Sequence, residues 1–226
     1  MFRIVAKYTW LLILFWGTLT DVYGHTVNER NRMAVSIGLD TNNAYYTDFS
    51  YHYMVCSLFG VGGGLGIYDQ WFTDYSPSGT VEGKWESWRI DETDEEVERL
   101  YLHPSILFKT PNILCLKGVK MSFLLEPGLI CVFPYAGVHV DYVNSHTQQH
   151  RYSYVSTIKG DWCFWNIRAA INFQIQKIAI AVGYGFSNWD IYSSRKHLKV
   201  ESTEFKDLYP DESILHSVFF NLSYEF

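Results

Sequence analysis

Apolar and polar residues alternate along much of the chain, and a period of two predicts β-strands. In the first such segment Met33, Val35, Ile37 and Leu39 alternate with small or polar residues up to Asp40. Seven further segments repeat the pattern, at residues 48–55, 59–68, 100–109, 119–133, 165–175, 178–187 and 217–226. We therefore expect eight strands.

The connections between these segments alternate in length. Short or moderate turns occupy residues 56–58, 110–118 and 176–177. The other connections are long and polar, apart from a short one near 41–43 and a strand-like stretch at 138–143; they occupy residues 69–98, 134–160 and 190–212. Short periplasmic turns with longer outer loops are typical of outer-membrane barrels. The sequence thus predicts an all-β fold, an eight-stranded antiparallel up-and-down transmembrane β-barrel with the long segments outside.

The face opposite the apolar residues separates a barrel from a soluble β-sandwich, which also alternates. A sandwich would leave that face rich in Lys, Glu and Thr. Here it carries mostly Gly, Ala, Ser and Asn, which suits a narrow lumen, and eight strands leave an interior that side chains can fill. The glycine-rich segment 59–68 would make room for Tyr101, His103 and Arg168 from other walls.

Composition agrees with strands that meet lipid on every second residue. Aromatic residues make up 18% of the 226 residues, yet the mean hydropathy is only −0.07. A net charge of −6 gives no basic footprint, so we expect no nucleic-acid partner. The four cysteines have no CxxC spacing, which argues against a zinc site, and we expect no metal and no cofactor.

Residues 1–24 have the features of a signal peptide. Arg3 and Lys7 precede an apolar run at residues 8–19, and Val22-Tyr23-Gly24 fits a cleavage site after Gly24. An uncleaved anchor helix is the alternative. On the first interpretation, residues 25–226 form one outer-membrane barrel domain.

The last strand and two inner segments resemble known barrel sequences. Phe220, Leu222, Tyr224 and the terminal Phe226 alternate as in the membrane-insertion signal that the outer-membrane assembly machinery reads. Residues 49–53 with 59–66, and the proline-containing segment 102–109, resemble the second to fourth strands of the PorT-like outer-membrane β-barrel domain family. The architecture is similar to barrels of the OmpA/OmpX type. This resemblance implies the fold and the cell outer membrane as location, but it transfers no catalytic residue. In that membrane we expect contact with outer-membrane lipid and lipopolysaccharide.

Glu126 and Arg168 are a candidate lumen ion pair. Both face inward near the middle of strands that we expect to be neighbours. An unpaired buried charge costs several kcal/mol, so a pair that closes the barrel is the main interpretation. A narrow pore lined by the same charges is the alternative.

His103 and Ser105 share the lumen face of one strand. A histidine beside a serine can activate a nucleophile, and barrel-shaped lipid deacylases and acyltransferases use these residue types. Their active residues face lipid or the barrel rim, however, whereas His103 faces inward. We therefore expect no enzyme, and keep a lipid-modifying enzyme with His103 and Ser105 as the alternative.

Cys131 and Cys163 both fall on the outward face, near the outer ends of neighbouring strands. Export permits a disulfide there, provided that the Cα atoms lie within about 7 Å; four free thiols are the alternative. Aromatic residues near the strand ends predict two interfacial girdles: Tyr45, Trp71, Trp162, Trp165, Trp189 and Tyr192 outside, and Phe173, Tyr224 and Phe226 inside. The expected function is a structural or surface-interaction role with a closed lumen, through outer loops that contact an envelope protein.

Overall fold

A computed structural model describes residues 30–211 and 214–226. The predicted signal peptide lies outside the described residues, so it stays a prediction. The described residues form these strands: β1 Asn31–Asp40, β2 Ala44–Cys56, β3 Phe59–Gln70, β4 Ser78–Thr80, β5 Glu86–Ile90, β6 Glu98–Lys109, β7 Leu114–Leu116, β8 Val119–Val132, β9 Ala136–Asn144, β10 His150–Thr157, β11 Cys163–Ile175, β12 Ile178–Ser187, β13 Lys199–Val200, β14 Thr203–Glu204 and β15 Leu215–Glu225.

Eight of these strands close into a barrel. Their order is β11-β12-β15-β1-β2-β3-β6-β8, and pairing of β8 with β11 joins the two edges. All of these pairings are antiparallel between neighbours. The predicted fold class is therefore confirmed, and the eight segments found by alternation are the eight barrel strands. Closure leaves none of these strands with an unpaired edge.

Side chains of the barrel strands alternate between a buried lumen face and an exposed outer face. The pattern is uninterrupted along β2, where Tyr46, Asp48, Ser50 and His52 are buried and their outward neighbours are exposed. Glycines provide space for lumen rings: a Cβ on Gly66 would overlap a ring carbon of Tyr101. The small residues of the lumen face thus allow large side chains from other strands to fill the interior.

The barrel has two different ends. At one end, here called the turn end, the strands are joined by short connections, such as the hairpin at Lys117-Gly118 between β7 and β8. Both residues have positive φ, +49° and +87°, as a type I′ turn requires. Strand β7 was not predicted, because residues 110–118 were interpreted as a simple turn.

At the other end the predicted loops form a folded structure, here called the cap. Strands β10, β9, β5 and β4 make a second sheet in that order, and β13 pairs with β14. One face of this sheet packs Trp88, Ile90, Val138 and Val140 into an apolar core with Phe205 from the last connection. Only β9 was predicted, through residues 138–143. The three described helices are single 3₁₀ turns, and none of them is long enough to cross a membrane.

Candidate functional site

The lumen contains a chain of polar contacts that begins at the turn end. Lys109 on β6 donates from Nζ to both carboxylate oxygens of Glu225 on β15, at 2.8 and 3.0 Å, and to Oε1 of Gln174 on β11 at 2.9 Å. Gln174 Nε2 donates to the same carboxylate at 2.9 Å. These three strands lie on different walls, so the contacts bridge the lumen at this end.

Arg168 lies near the middle of the lumen, as predicted, but its ion-pair partner is Asp48. The Nη2–Oδ2 distance is 2.7 Å, and both side chains are almost completely buried. Glu126 is the direct cross-strand neighbour of Arg168 in the β8–β11 register, yet the two form no ion pair among those of the described residues. The predicted Glu126–Arg168 pair is therefore corrected to Asp48–Arg168. Strands β2 and β11 lie on opposite walls, so this pair crosses the lumen.

Glu126 instead belongs to a cluster with Ser105 and His52. Ser105 Oγ donates to Glu126 Oε1 at 2.8 Å, and His52 Nε2 lies 2.9 Å from the same Oγ. His103 is fully buried beside them, with Nε2 3.0 Å from Nδ2 of Asn166. The structure thus brings the predicted His103 and Ser105 into one region, but the imidazole that contacts Ser105 is that of His52, which the sequence analysis did not select.

The hydrogen bonds of Ser105 differ from those of a serine nucleophile. An ionised Glu126 can only accept a hydrogen bond, so the Ser105 hydroxyl donates to it and His52 Nε2 then donates to Oγ. A general base needs the opposite arrangement, with an unprotonated nitrogen facing the hydroxyl. The cluster therefore lacks the serine-to-histidine hydrogen bond of a catalytic dyad, and Nδ1 of the neighbouring His103 has no hydrogen-bond partner among the described residues.

The cap closes the other end of the lumen with an aromatic side chain. Trp189, from the connection after β12, contacts the rings of Tyr68 and Tyr101 with centroids 4.7 and 5.5 Å apart. Tyr192 accepts a hydrogen bond from Gln70 at 2.8 Å. Trp189 and Tyr192 are both buried, so their predicted place in an interfacial girdle is wrong.

Two small cavities lie inside the barrel. One cavity of about 20 Å³ lies beside Arg32, His52 and Glu126, and another of about 20 Å³ lies beneath the cap, beside Tyr46 and Tyr101. Each has room for about one water molecule. Side chains therefore fill most of the described lumen.

The connections of the cap are fastened to one another. Arg195 is buried and donates to the carbonyl oxygens of Glu95 and Glu96, which belong to a different connection. Lys196 bonds Asp190 at 2.6 Å and Asp211 at 3.0 Å. Burial opposes its charge, but these two carboxylates outweigh burial and raise the pKa of Lys196. The hydrogen bond from Lys196 in turn lowers the pKa of Asp211.

The outer face of the cap sheet is aromatic and polar. Tyr152 and Tyr154 on β10 are exposed, and the Tyr154 ring lies 4.8 Å from that of His139 on β9. Each nearby histidine contacts a carboxylate: His139 Nδ1 lies 2.8 Å from Asp94, and His150 Nδ1 lies 3.0 Å from Asp141. The barrel thus presents an ordered, solvent-facing surface at this end.

Cys131 and Cys163 are direct cross-strand neighbours, and their sulfur atoms are 3.7 Å apart. Both are free thiols in the structure, as are Cys56 and Cys115. A disulfide requires the two cysteines to lie close together, which the sequence could not show. The structure meets this requirement. Whether the pair is oxidised in the protein remains a prediction.

The predicted insertion signal forms the outer face of β15. Phe220, Leu222 and Tyr224 are exposed on β15, and Phe226 follows directly after it. The strand pairs with β1 and with β12 along its length and thereby joins the first and last parts of the barrel. In the described part of the chain, no three His, Cys, Asp or Glu side chains are placed to hold a metal ion.

No family model and no curated protein matches this sequence. Three solved barrels have structural similarity to this chain. A major outer membrane protein from Thermus thermophilus has a TM-score of 0.42 and 11% identity, over 87% of this chain and 99% of that one. Neisserial surface protein A has a TM-score of 0.40 and 7% identity (87% of this chain, 94% of that one), and the attachment invasion locus protein Ail of Yersinia pestis has a TM-score of 0.34 and 12% identity (88% and 99%). Scores and identities this low carry no argument about function. The barrel assignment rests on the strand pairings of this chain.

Proposed function

We propose that the protein is a non-enzymatic outer-membrane barrel with a closed lumen, which holds the cap at the cell surface as an interaction surface. The observation that carries this proposal is the outer face of the barrel. Apolar side chains that are about half exposed follow one another on every strand of the wall: examples are Ile37, Phe49, Leu65, Leu102, Leu129, Ile171, Val182 and Phe220. Monomeric soluble proteins rarely expose so large a continuous apolar area. A lipid bilayer is the surrounding that makes this face favourable.

The packed lumen favours a structural role over transport. Conduction needs a continuous water path, whereas Lys109, Glu225, the Asp48–Arg168 pair and Trp189 occupy successive levels of the lumen. A narrow pore would need these side chains to move. The enzyme alternative is disfavoured by the hydrogen bonding of Ser105, which directs its proton to Glu126.

The cap supports a surface-interaction role. It has its own apolar core, and its connections are fastened by buried contacts of Arg195, so its outer face keeps a defined shape. The partners proposed are outer-membrane lipid and lipopolysaccharide around the wall, the assembly machinery through β15, and an envelope protein at the cap. Membership of the PorT-like family is part of this proposal and rests on the sequence resemblance alone.

The proposal is tested by expressing the full chain in a diderm bacterium. We expect it in the outer-membrane fraction of a sucrose gradient, with faster gel mobility before boiling than after it. Reconstituted in planar bilayers, the protein should give no steady conductance. Recovery in the soluble fraction, or equal mobility of boiled and unboiled samples, would refute the membrane barrel. Steady conductance that changes on Glu126→Gln would refute the closed lumen and favour the pore.

A further inference from the structure

A groove crosses the outer wall of the barrel over Gly63. Its volume is about 460 Å³. In the strand register Tyr51, Gly63 and Pro104 are direct neighbours on β2, β3 and β6, so the missing side chain of Gly63 leaves a gap between the other two. The next row forms a rim of Phe49, Leu65 and Leu102, and Cys131 on β8 completes the lining.

Backbone packing keeps the floor of the groove free of side chains. A Cβ on Gly63 would lie 2.9 Å from both the carbonyl oxygen of His103 and the Cα of Pro104. Real Cβ contacts are not that short, so any other residue here would push β3 and β6 apart. The notch is therefore a consequence of how closely these strands approach, and it is not a chance result of side-chain rotamers.

The wall beside the groove is irregularly paired along the β6–β8 seam. The ladder pairs Leu102 with Cys131 and Ser105 with Gly128 and skips the two residues between them on β6. One of the skipped residues is Pro104, which has no N–H to donate. This interruption agrees with the irregularity that the proline predicts.

We propose that this groove binds one acyl chain of a membrane lipid. The inference rests on the proposed function, because the outer wall meets lipid chains only if the barrel spans a bilayer. No charged residue lines the groove, and the hydroxyl of Tyr51 is already bonded to Asn31 at 2.7 Å. The lining therefore offers dispersion contacts and no polar recognition.

The shape of the groove distinguishes an acyl chain from a second copy of the barrel. A methylene chain is thin enough to lie on the floor over Gly63 and contact both rows. The broad wall of another barrel would rest on the rim side chains Phe49 and Leu102 and leave the floor empty. Packing between membrane segments depends on close contact, since both sides are already apolar. An acyl chain therefore gains more contacts here than a neighbouring protein.

The test uses the full chain in vesicles of phosphatidylethanolamine and phosphatidylglycerol that contain a little phosphatidylcholine with a diazirine in its acyl chain. After irradiation, mass spectrometry locates the lipid adducts. The matched positions are Leu65, which is 50% exposed on the rim, and Leu222, which is 48% exposed on β15, three strands away. We expect roughly tenfold more adduct on the groove lining than around Leu222.

Two leucine-to-tryptophan variants, one at the groove and one away from it, test the groove itself. Leu65→Trp places a ring over Gly63 and should lower the groove adducts by roughly tenfold, whereas Leu222→Trp should leave them unchanged. Both variants must first show the heat-modifiable mobility of a folded barrel. Tryptophan is tolerated on lipid-facing walls, so neither change is expected to prevent folding.

Three results would contradict the proposal in different ways. Adducts spread evenly around the barrel would show that the groove has no preference for a chain. Adducts absent from the groove, together with a dimer that glutaraldehyde cross-links and that Leu65→Trp abolishes, would show that a second copy covers it. Adducts on no strand, in a protein that carbonate wash removes from the vesicles, would refute the membrane location itself and hence the proposed function.

Discussion

Replacing Asp48 by asparagine removes the carboxylate from the buried pair with Arg168. The guanidinium then stays in the lumen without a counter-charge, since both side chains are nearly inaccessible and their contact is 2.7 Å. Breaking a buried ion pair by removal of one partner costs about 3–5 kcal/mol. Asparagine can still accept a hydrogen bond from Arg168, so we expect the lower end of this range, about 3 kcal/mol.

Glu126→Gln is the matched control, because sequence reasoning alone would give it the larger effect. A glutamine oxygen can still accept from Ser105, and Glu126 makes no ion pair with Arg168. The expected cost is about 1 kcal/mol. The two variants should therefore differ by about 2 kcal/mol, a factor of roughly 30 in the unfolding equilibrium.

The assay is urea unfolding of the barrel in lipid vesicles, followed by tryptophan fluorescence and by gel mobility without boiling. Both variants should lower the urea concentration at the midpoint of unfolding. They should leave unchanged the slope with which the free energy of unfolding falls with urea. The double variant Asp48→Asn with Arg168→Gln should lose less stability than the sum of the single changes, because it also removes the unpaired cation. A loss for Glu126→Gln equal to or greater than that for Asp48→Asn would refute the cross-lumen assignment.

Three further predictions concern the outer wall and the cap. Trp88→Ala should weaken the cap core by about 3–5 kcal/mol, seen as faster proteolysis of the cap with unchanged gel mobility of the barrel; equal resistance to protease would contradict a packed cap. Mild oxidation with diamide should join Cys131 to Cys163, read as an intact mass lower by two hydrogens that Cys131→Ser prevents. The hydroxyl and then the backbone N–H of Thr93 hold the pKa of Asp91 below its usual value. The Asp91 carboxylate stabilises the fold at a pH above the pKa that this group has in the unfolded chain. It loses that contribution as the pH falls through its lowered pKa in the folded protein. Thr93→Val should raise the pH at which the Asp91 carboxyl carbon titrates in an NMR measurement. An unchanged titration midpoint for Asp91 would contradict the contact with Thr93.

The barrel could be predicted because the local sequence pattern is enough to identify each strand. Each strand must place apolar side chains outside on every second residue, so β12 or β15 is recognisable without knowledge of its neighbours. In an up-and-down barrel, consecutive barrel strands pair with one another, and this rule correctly placed Cys131 beside Cys163.

Contacts across the lumen could not be predicted in the same way. Asp48 and Arg168 lie on opposite walls, and their approach depends on closure of the barrel and on which levels of the lumen they occupy. The prediction of Glu126 as the partner rests on neighbouring strands only. The cap was missed because β4 and β5 are short and lie in polar segments, and because β5 pairs with β9 from a distant connection. The one readable signal was the alternation of Val138, Val140 and Tyr142 on β9.

Labelling of single cysteines on living cells tests the central claim most directly. In a background without the four native cysteines, Ser78→Cys reports on the cap and Lys117→Cys on the turn end, and both positions are exposed. With a membrane-impermeant maleimide, Ser78→Cys should react on intact cells, and Lys117→Cys should react only after the outer membrane is permeabilised. Reaction of Lys117→Cys but not Ser78→Cys on intact cells would invert the barrel. No reaction at either site until the cells are lysed would contradict a barrel that spans the outer membrane.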